Sequence, residues 1–304
     1  MMNYDVILIR YGELSLKSDY VRKSFESVLV KNITKALRAD DIPHAIRTER
    51  GRIYLSTPQI PPSITILSRI FGIVSCSPAV QTDSSIDDIS SNALQLTKNI
   101  VTKEKSFAIR PTRVGNHHFT SQEVAVRIGT DIVNATHAKV NLTSPDVELF
   151  IEIRDKKTFL FTEKIRGVGG LPLGTQGKIL CLVEDPCSLL AAWYLMRRGC
   201  HVIIVNMKES NERSIHSFLM YWFADADIIF LDPTTESFYQ QLYTIATEKK
   251  CDALITSHTL ENPTRSLQEI ARLKKETMIP VLSPLIAMTQ KHIQEQCRIR
   301  GIII

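Results

Sequence analysis

The sequence predicts a protein of the α/β class made of three consecutive parts. Residues 1–80 follow the order strand, helix, two strands, helix and strand, which is typical of the ferredoxin-like split βαβ unit. Residues 81–165 also alternate between helices and strands. Beyond Gly177, short apolar strands alternate with helices, and this pattern indicates a doubly wound parallel sheet with both faces covered.

The long helix Asp19–Arg38 has the clearest pattern in the first part. Its apolar side chains recur at spacings of three and four residues, so they form one face of a helix. Two strands meet near Arg50 and Gly51, where a turn is expected. The predicted elements are, in order, Asp5–Arg10, Asp19–Arg38, His44–Glu49, Arg52–Thr57, Pro61–Ile70 and Ile73–Val80.

The second part contains a helix whose start is marked by the sequence. Thr120 and Ser121 followed by Glu123 can cap it, and Val124 and Ile128 begin its apolar face. The predicted elements are Ile86–Val101, Ser106–Arg113, Ser121–His137, Val147–Arg154 and Thr158–Lys164.

The third part predicts a parallel sheet whose ligands would lie beyond the carboxyl ends of the strands. Its predicted strands are Ile179–Val183, Val202–Met207, Asp227–Leu231, Ala253–Thr256 and Ile279–Leu282. Its predicted helices are Cys187–Arg198, Asn211–Phe223, Phe238–Lys249, Pro263–Glu276 and a last one after Thr289.

Composition excludes several classes of protein. With 304 residues, 44% of them hydrophobic and 23% charged, the chain is typical of a globular protein with two or three domains. Its apolar runs are strand-sized and its first residues lack a signal-peptide pattern, so we expect a cytoplasmic protein without membrane contact. The six cysteines are scattered and have no C-x-x-C pair, so neither a metal site nor a disulfide framework is expected.

Charge divides the chain more clearly than composition does. Residues 1–177 contain 23 Lys and Arg against 18 Asp and Glu, while residues 178–304 contain 14 of each. The positive surplus therefore lies entirely in the first two parts. This asymmetry is typical of a nucleic-acid-binding part joined to a part with another role, although a basic surface without a partner is the alternative.

Four basic side chains lie where a predicted strand ends and a loop opens the next helix. They are Arg110, Arg113, His117 and His118. Guanidinium groups and helix N-termini both suit phosphate oxygens, so the cluster predicts contact with nucleic acid. In a structural alternative, the arginines pair with Asp146 or Glu148. A metal site is disfavoured because adjacent histidines point apart and no cysteine or carboxylate set joins them.

The glycine-rich crossing GGLPLGTQGK resembles the tRNA 4-thiouridine synthetase family, in which a THUMP domain ends in such a crossing and a PP-loop domain follows. RYGELSLKS, FAIRPTRVGNHHFTSQE, NLTSPDVELFIEI and TEKIRG match the same family. The resemblance implies a ferredoxin-like domain at 1–75, a THUMP RNA-binding domain at 76–167 and a PP-loop-like, Rossmann-like domain at 175–304. It also implies that the first two domains grip the acceptor end of tRNA. Lys164 and Arg166, from TEKIRG, join the candidate RNA-binding residues.

The basic residues of RYGELSLKS are not expected to bind RNA, unlike those of the other basic segments. A lone charge in a turn usually lies on a solvated face or at a domain interface. We therefore expect Arg10 and Lys17 to serve the fold rather than to contact RNA.

The loop that should hold ATP departs from the family pattern. The family has Ser-Gly-Gly-x-Asp-Ser-Pro where this chain has residues 183–189, and only Ser188 agrees. Glycines let backbone N–H groups close around pyrophosphate, whereas Glu184 and Asp185 add negative charge. A carboxylate about 5 Å from a phosphate costs roughly 3 kcal/mol at an effective dielectric near 20. Asp185 before Pro186 instead predicts an N-cap and a first-turn proline.

Two alternatives concern this loop. Glu184 and Asp185 could hold Mg²⁺, which would hold a triphosphate in turn. Cys187, at a helix N-terminus, could act as a nucleophile or persulfide carrier, or it could simply fill apolar space. The remaining candidate nucleotide contact is Ser188.

The sequence thus predicts a tRNA-binding protein whose PP-loop-like domain has lost its ATP-pyrophosphate signature. The sequence does not identify a catalytic residue. No metal or cofactor is expected, and we expect a homodimer with a possible separate partner protein. The alternative is an active ATP-dependent tRNA sulfurtransferase that makes 4-thiouridine, and ATP and Mg²⁺ would then be its cofactors. A sulfur carrier linked to thiamine biosynthesis is a third interpretation that rests on the family alone.

Overall fold

The computed structural model describes residues 4–12, 18–49 and 51–303, and the chain divides into two compact units. The first unit comprises Met1–Arg10, Leu37–Ser68 and Ser75–Arg166. The second comprises Tyr11–Ala36, Arg69–Val74 and Gly167–Ile304. Most of the first long helix therefore belongs to the second unit, although it lies early in the sequence.

A single sheet forms the frame of the first unit. Its eight described strands follow the order β2-β3-β1-β4-β7-β6-β5, with β8 paired to β4. Strands β5 and β6 are parallel, whereas β7 is antiparallel to both β6 and β4. The strands are β1 Val6–Tyr11, β2 Ala45–Glu49, β3 Arg52–Ser56, β4 Ile73–Asp83, β5 Phe107–Val114, β6 Val147–Arg154, β7 Lys157–Phe161 and β8 Ile165–Arg166.

The two faces of this sheet have different partners. Helices α3 (Ile86–Thr97) and α4 (Ser121–Thr136) cover one face, and their apolar side chains pack with those of β5 and β6. On the other face, aromatic side chains of β6 and β7 pack with Val6, Leu8 and Tyr54 from the first strands. The rings of Tyr54 and Phe159 are 5.0 Å apart. Strands distant in the sheet order therefore share one apolar core.

Two further helices lie early in the chain, α1 (Asp19–Ala39) and α2 (Ile60–Leu67). Leu29 and Ile33 of α1 are fully buried, as the predicted apolar face requires. Within the second unit, the Asn32 side-chain amide donates to the Leu173 carbonyl at 3.0 Å, and Lys35 pairs with Asp225. These contacts explain why α1 belongs with the C-terminal stretch.

The second unit contains a five-stranded parallel sheet in the order β11-β10-β9-β12-β13. Helices α5, α6 and α9 pack on one face, and α7 and α8 pack on the other, so the unit is doubly wound. The strands are β9 Lys178–Val183, β10 His201–Asn206, β11 Ile228–Phe230, β12 Ala253–Ile255 and β13 Val281–Leu282. The helices are α5 Ser188–Arg197, α6 Glu212–Tyr221, α7 Phe238–Glu248, α8 Pro263–Thr277 and α9 Gln290–Ile299.

The predicted α/β class and its elements are confirmed, and only the ends of some elements differ. The predicted strand Thr158–Lys164 ends at Phe161, and Ile165–Arg166 forms a separate short strand against β4. Helix α5 begins at Ser188, one residue later than predicted. The predicted domain boundaries at 1–75, 76–167 and 175–304 remain predictions. In the part of the chain that the structure describes, no helix is long and apolar enough to cross a membrane.

Candidate nucleic-acid interface and nucleotide loop

The two candidate arginines of β5 lie on opposite faces of the sheet. Successive strand residues alternate between faces, so Arg110 and Arg113, three positions apart, point to opposite sides. Arg113 lies on the side of α4, and Arg110 lies on the aromatic side, opposite Phe150 of β6. The structure therefore does not form one cluster from the predicted residues.

Arg110 is held by two contacts within the first unit. Its Nε donates to Glu148 Oε1 at 2.7 Å, and its Nη2 donates to the Leu142 carbonyl at 2.7 Å. The other proposed partner, Asp146, instead accepts from the backbone and hydroxyl of Ser106. Arg110 thus pairs with Glu148, as the structural alternative predicted, although the Arg110 side chain is still about one-third exposed.

Arg113, His117 and His118 form the second group, at the carboxyl end of β5. Arg113 Nη1 donates to the His117 carbonyl at 3.4 Å, and His117 Nε2 donates to the Asp155 carbonyl at 2.8 Å. His118 is exposed. This loop is therefore ordered by its own contacts, and it presents a guanidinium and an imidazole to solvent.

Helix α4 begins beside this loop with a complete capping box, as predicted. Thr120 Oγ1 accepts from the Glu123 backbone N–H at 3.2 Å, and the Thr120 N–H donates to Glu123 Oε2 at 2.6 Å. These hydrogen bonds hold the pKa of Glu123 below its ordinary value. The Glu123 carboxylate already accepts a hydrogen bond at the N-terminus of α4. An anion would therefore be attracted here by the basic side chains and not by the helix terminus.

Lys164 and Arg166 lie at different places in the first unit. The Lys164 ammonium is 3.7 Å from the centroid of the Phe150 ring, on the same face as Arg110. Burial, together with the nearby charge of Arg10, lowers the pKa of Lys164. Arg166 is an exposed residue of β8, opposite Ser75 of β4.

A buried carboxylate with three arginines around it was not predicted from the sequence. Glu152 of β6 accepts from Arg52 and Arg154 and pairs more loosely with Arg10. Alternation in VELFIEIR places Glu152 and Arg154 on one face, but Arg10 and Arg52 come from strands about 100 residues or more away. Arg10 thus has contacts within the first unit, as a structural role requires, while Lys17 lies outside the described residues.

The nucleotide loop follows β9 and is closed by its own hydrogen bonds. Asp185 Oδ1 accepts from the Ser188 backbone N–H at 3.0 Å. The N-cap of α5 is however Cys187, without a side-chain cap hydrogen bond, so the prediction of Asp185 as N-cap and Pro186 as first-turn proline is wrong, and both residues form the turn before the helix. The Ser188 hydroxyl is fully buried, and its Oγ lies 2.9 Å from Ser257 Oγ, at the end of β12. The first N–H groups of α5 are thus partly occupied by protein oxygens.

A cavity of about 520 Å³ opens beside this loop at the carboxyl ends of the strands. Its lining combines both signs of charge, with Lys208 and Arg265 opposed by Glu184 and Glu269. A site at this edge is what the topology of a doubly wound sheet predicts. Among the described residues, no group of three His, Cys, Asp or Glu side chains is arranged to hold a metal ion.

Cys187 lies at the same loop and is 8% exposed. A hydrogen bond with the Cys297 thiol of α9 lowers the pKa of Cys187, whereas burial opposes this shift. The loop therefore holds a thiol of lowered pKa that is almost fully covered by protein.

Family models match both parts of the first half of the chain. The model for the ThiI ferredoxin-like domain matches residues 6–77, and the model for the THUMP domain matches residues 83–163. Both fall in the region that carries the positive surplus.

Similar proteins extend the comparison to the rest of the chain. A probable tRNA sulfurtransferase of Methanocaldococcus jannaschii is 32% identical, and the alignment covers 94% of this chain and 85% of that protein. One of Methanobrevibacter smithii is 43% identical over 67% of this chain and 54% of its own length. This chain thus spans about half the length of the first curated relatives that it matches.

Two solved structures share the fold. The crystal structure of PH1313 from Pyrococcus horikoshii Ot3 matches with a TM-score of 0.84 and 29% identity, covering 98% of this chain and 99% of that one. The crystal structure of a 4-thiouridine synthetase–RNA complex with bound ATP matches with a TM-score of 0.82 at 20% identity, covering 99% of this chain and 86% of that one. At that identity, the second likeness concerns the fold alone.

Proposed function

The chain belongs to the tRNA sulfurtransferase family, and from this membership we propose that it binds the acceptor end of tRNA through its THUMP domain. We further propose that its PP-loop-like domain has lost the ATP-pyrophosphate site and acts as a scaffold or platform for a partner. The chain would then be a binding protein that needs no cofactor.

The observation that supports RNA binding is the presence of exposed basic side chains on two sides of the THUMP strands. Arg113 at the end of β5 and His118 in the following loop are exposed, with half-buried His117 between them, and Lys164 lies on the aromatic face with Arg110. Phosphate oxygens accept hydrogen bonds from such groups, and each side chain that neutralises a phosphate releases counterions. The positive surplus of residues 1–177 has the sign that this partner requires.

The first test measures the salt dependence of tRNA binding. Replacing Arg110 and Arg113 together by Ala should weaken binding and flatten the slope of log K against log salt by about 0.9 for each phosphate that is no longer neutralised. The measurement is fluorescence anisotropy with a labelled tRNA transcript at several KCl concentrations. Lys275→Ala, an exposed charge on α8, is the control. Unchanged affinity and slope in the double variant would contradict the assignment.

The closed loop 184–188 supports the loss of the nucleotide site. Asp185 accepts from the Ser188 N–H, Ser188 is buried, and Glu184 lines the adjacent cavity. Calorimetric titration of ATP with Mg²⁺ into the protein, alone and with bulk tRNA, should give no binding heat. Micromolar binding in either case would contradict this part of the proposal.

An active sulfurtransferase is the second candidate, and the cavity favours it. Lys208, His258 and Arg265 line a space of about 520 Å³ next to the loop, where an anionic ligand could lie. In this case Glu184 and Asp185 would hold Mg²⁺, and Ser188 would face the phosphates. Incubation with tRNA, ATP, Mg²⁺ and sulfide should then produce 4-thiouridine, detected by nucleoside mass spectrometry. ATP binding without any thionucleoside would exclude this candidate.

A further inference from the structure

Glu152 is the centre of a charged cluster on the aromatic face of the first unit. Its Oε1 accepts from Arg52 Nε at 2.7 Å and from Arg154 Nε at 2.8 Å, and its Oε2 lies 3.5 Å from Arg10 Nη2. Arg10 also donates to Ser77 Oγ at 2.9 Å. We name Arg10, Arg52, Arg154, Glu152 and Lys164 the Glu152 cluster.

This cluster contains more positive than negative charge among the described residues. Its four cations share one carboxylate, and the neighbouring Glu148 is already paired with Arg110. Within the described chain, the Lys164 ammonium lies over Phe150 and has no carboxylate at ion-pair distance. A surplus of positive charge therefore remains at one place.

The crowding of cations has an electrostatic cost. Like charges held close together repel one another, and they do so more strongly when partly buried. In agreement with this, burial and the charge of Arg52 lower the pKa of Arg10, although Glu152 acts in the opposite direction. Burial alone would raise the pKa of Glu152, but the charges of Arg52 and Arg10 lower it. A bound anion would remove the repulsion.

The cluster is accessible from solvent and continuous with the candidate interface. The side chain of Arg52 is 25% exposed, that of Arg10 is 13% exposed, and Lys164 at the rim is exposed. Lys164 lies over Phe150 and Arg10 lies over Phe161, and these two rings stack at 5.2 Å. Two cations thus lie over stacked rings, with Arg110 opposite Phe150 in the sheet and Arg52 sharing Glu152 with Arg10.

We propose that the Glu152 cluster is a second phosphate-binding site, which takes the phosphodiester backbone of an RNA bound to the first unit. This inference rests on the proposed tRNA binding and extends it to Arg52, Arg154 and Glu152, which were not among the candidate RNA-binding residues, and to Arg10, which was expected to serve the fold. Glu152 holds the guanidinium groups of Arg52 and Arg154 in place before the RNA arrives. Lys164 and Arg10, which that carboxylate neutralises least, contact the phosphate oxygens.

The test uses two substitutions that a structural role and an RNA-binding role affect differently. Lys164→Gln removes a cation without breaking an ion pair, so it should lower the slope of log K against log salt by about 0.9 or slightly less. Glu152→Gln removes the only carboxylate of the cluster, so tRNA binding should tighten about fivefold at low salt. The control is Lys98→Gln, which removes an exposed charge at the end of α3.

Anisotropy titrations with a labelled tRNA transcript distinguish a structural role of the Glu152 cluster from an RNA-binding role. If Lys164→Gln behaves like Lys98→Gln while the wild type binds tRNA, the Glu152 cluster is structural and this inference fails alone. Weaker binding by a folded Glu152→Gln protein would overturn it as well. If the wild type binds no tRNA, the proposed function fails, and the inference fails with it.

Discussion

At the scale of single residues, Asp185 shows how one side chain changes the chemistry of a loop. In a loop that cradles phosphate, the first N–H groups of the following helix must stay open to the ligand. Here Asp185 accepts from the Ser188 N–H, and Ser188 turns its hydroxyl toward Ser257. The loop therefore satisfies its own polar groups, and it stabilises the helix that it opens.

Replacing Asp185 by Ala should lower the free energy of unfolding by about 1 kcal/mol, because the Ser188 N–H at the start of α5 loses the carboxylate that accepts from it. Asp185→Asn should retain most of that stability, since the amide oxygen also accepts the hydrogen bond. Urea unfolding followed by circular dichroism measures both. Glu184→Ala is the matched control, because the structure shows no hydrogen bond between its carboxylate and the described N–H groups of α5, and an equal loss of stability in that variant would argue against a role for the Asp185 hydrogen bond.

Tyr54 carries a prediction about alkaline stability. Burial raises the pKa of Tyr54 to about 12 in the folded protein, above an ordinary value of about 10. Its contribution to stability is therefore complete below pH 10 and is lost as the pH rises toward 12. Between pH 8 and pH 11, the wild type should lose about 1 kcal/mol more stability than Tyr54→Phe. Parallel pH profiles for the two proteins would contradict this assignment.

At the scale of elements, the glycine-rich segment GGLPLGTQGK, which starts at Gly169, packs against the C-terminal end of α5. The Leu171 N–H donates to the Arg197 carbonyl at 3.0 Å, and the Gly174 N–H donates to the Gly199 carbonyl at 2.9 Å. Gly170 has a φ of +79°, and a Cβ there would lie 2.0 Å from the Arg197 carbonyl oxygen. The crossing needs glycine at this position because no side chain fits between the two backbones.

Gly170→Ala should therefore destabilise the protein by at least about 2 kcal/mol, since neither the backbone conformation nor the close approach tolerates a side chain. Gly174 is the matched control. It has a similar φ of +88°, but a Cβ at this position would meet nothing within 4 Å, so Gly174→Ala should cost only about 1 kcal/mol. Thermal unfolding of both variants measures the difference, and equal losses of stability would mean that the close approach is unimportant.

At the scale of the whole molecule, periodicity predicted the architecture better than it predicted the site. The apolar patterns of α1 and the C-terminal strands depend on local spacing, so the fold class and most elements were visible in the sequence. The position of Arg110 relative to Arg113 follows from strand alternation, and it could have been predicted. Arg52 and Glu152 could not have been paired from the sequence, because their strands β3 and β6 are not neighbours in the sheet and their contact depends on the packing of the aromatic core.

The membership of α1 in the second unit has a consequence for how the protein is made. Residues 11–36 leave the ribosome before most of the first unit, whereas their partners in 167–304 are synthesised last. Contacts of such high sequence separation slow folding, because the intervening chain must be closed into a loop first. The contacts of Asn32 and Lys35 with Leu173 and Asp225 therefore cannot form until the first unit has been synthesised, and during this interval the nascent chain is open to chaperones and to aggregation.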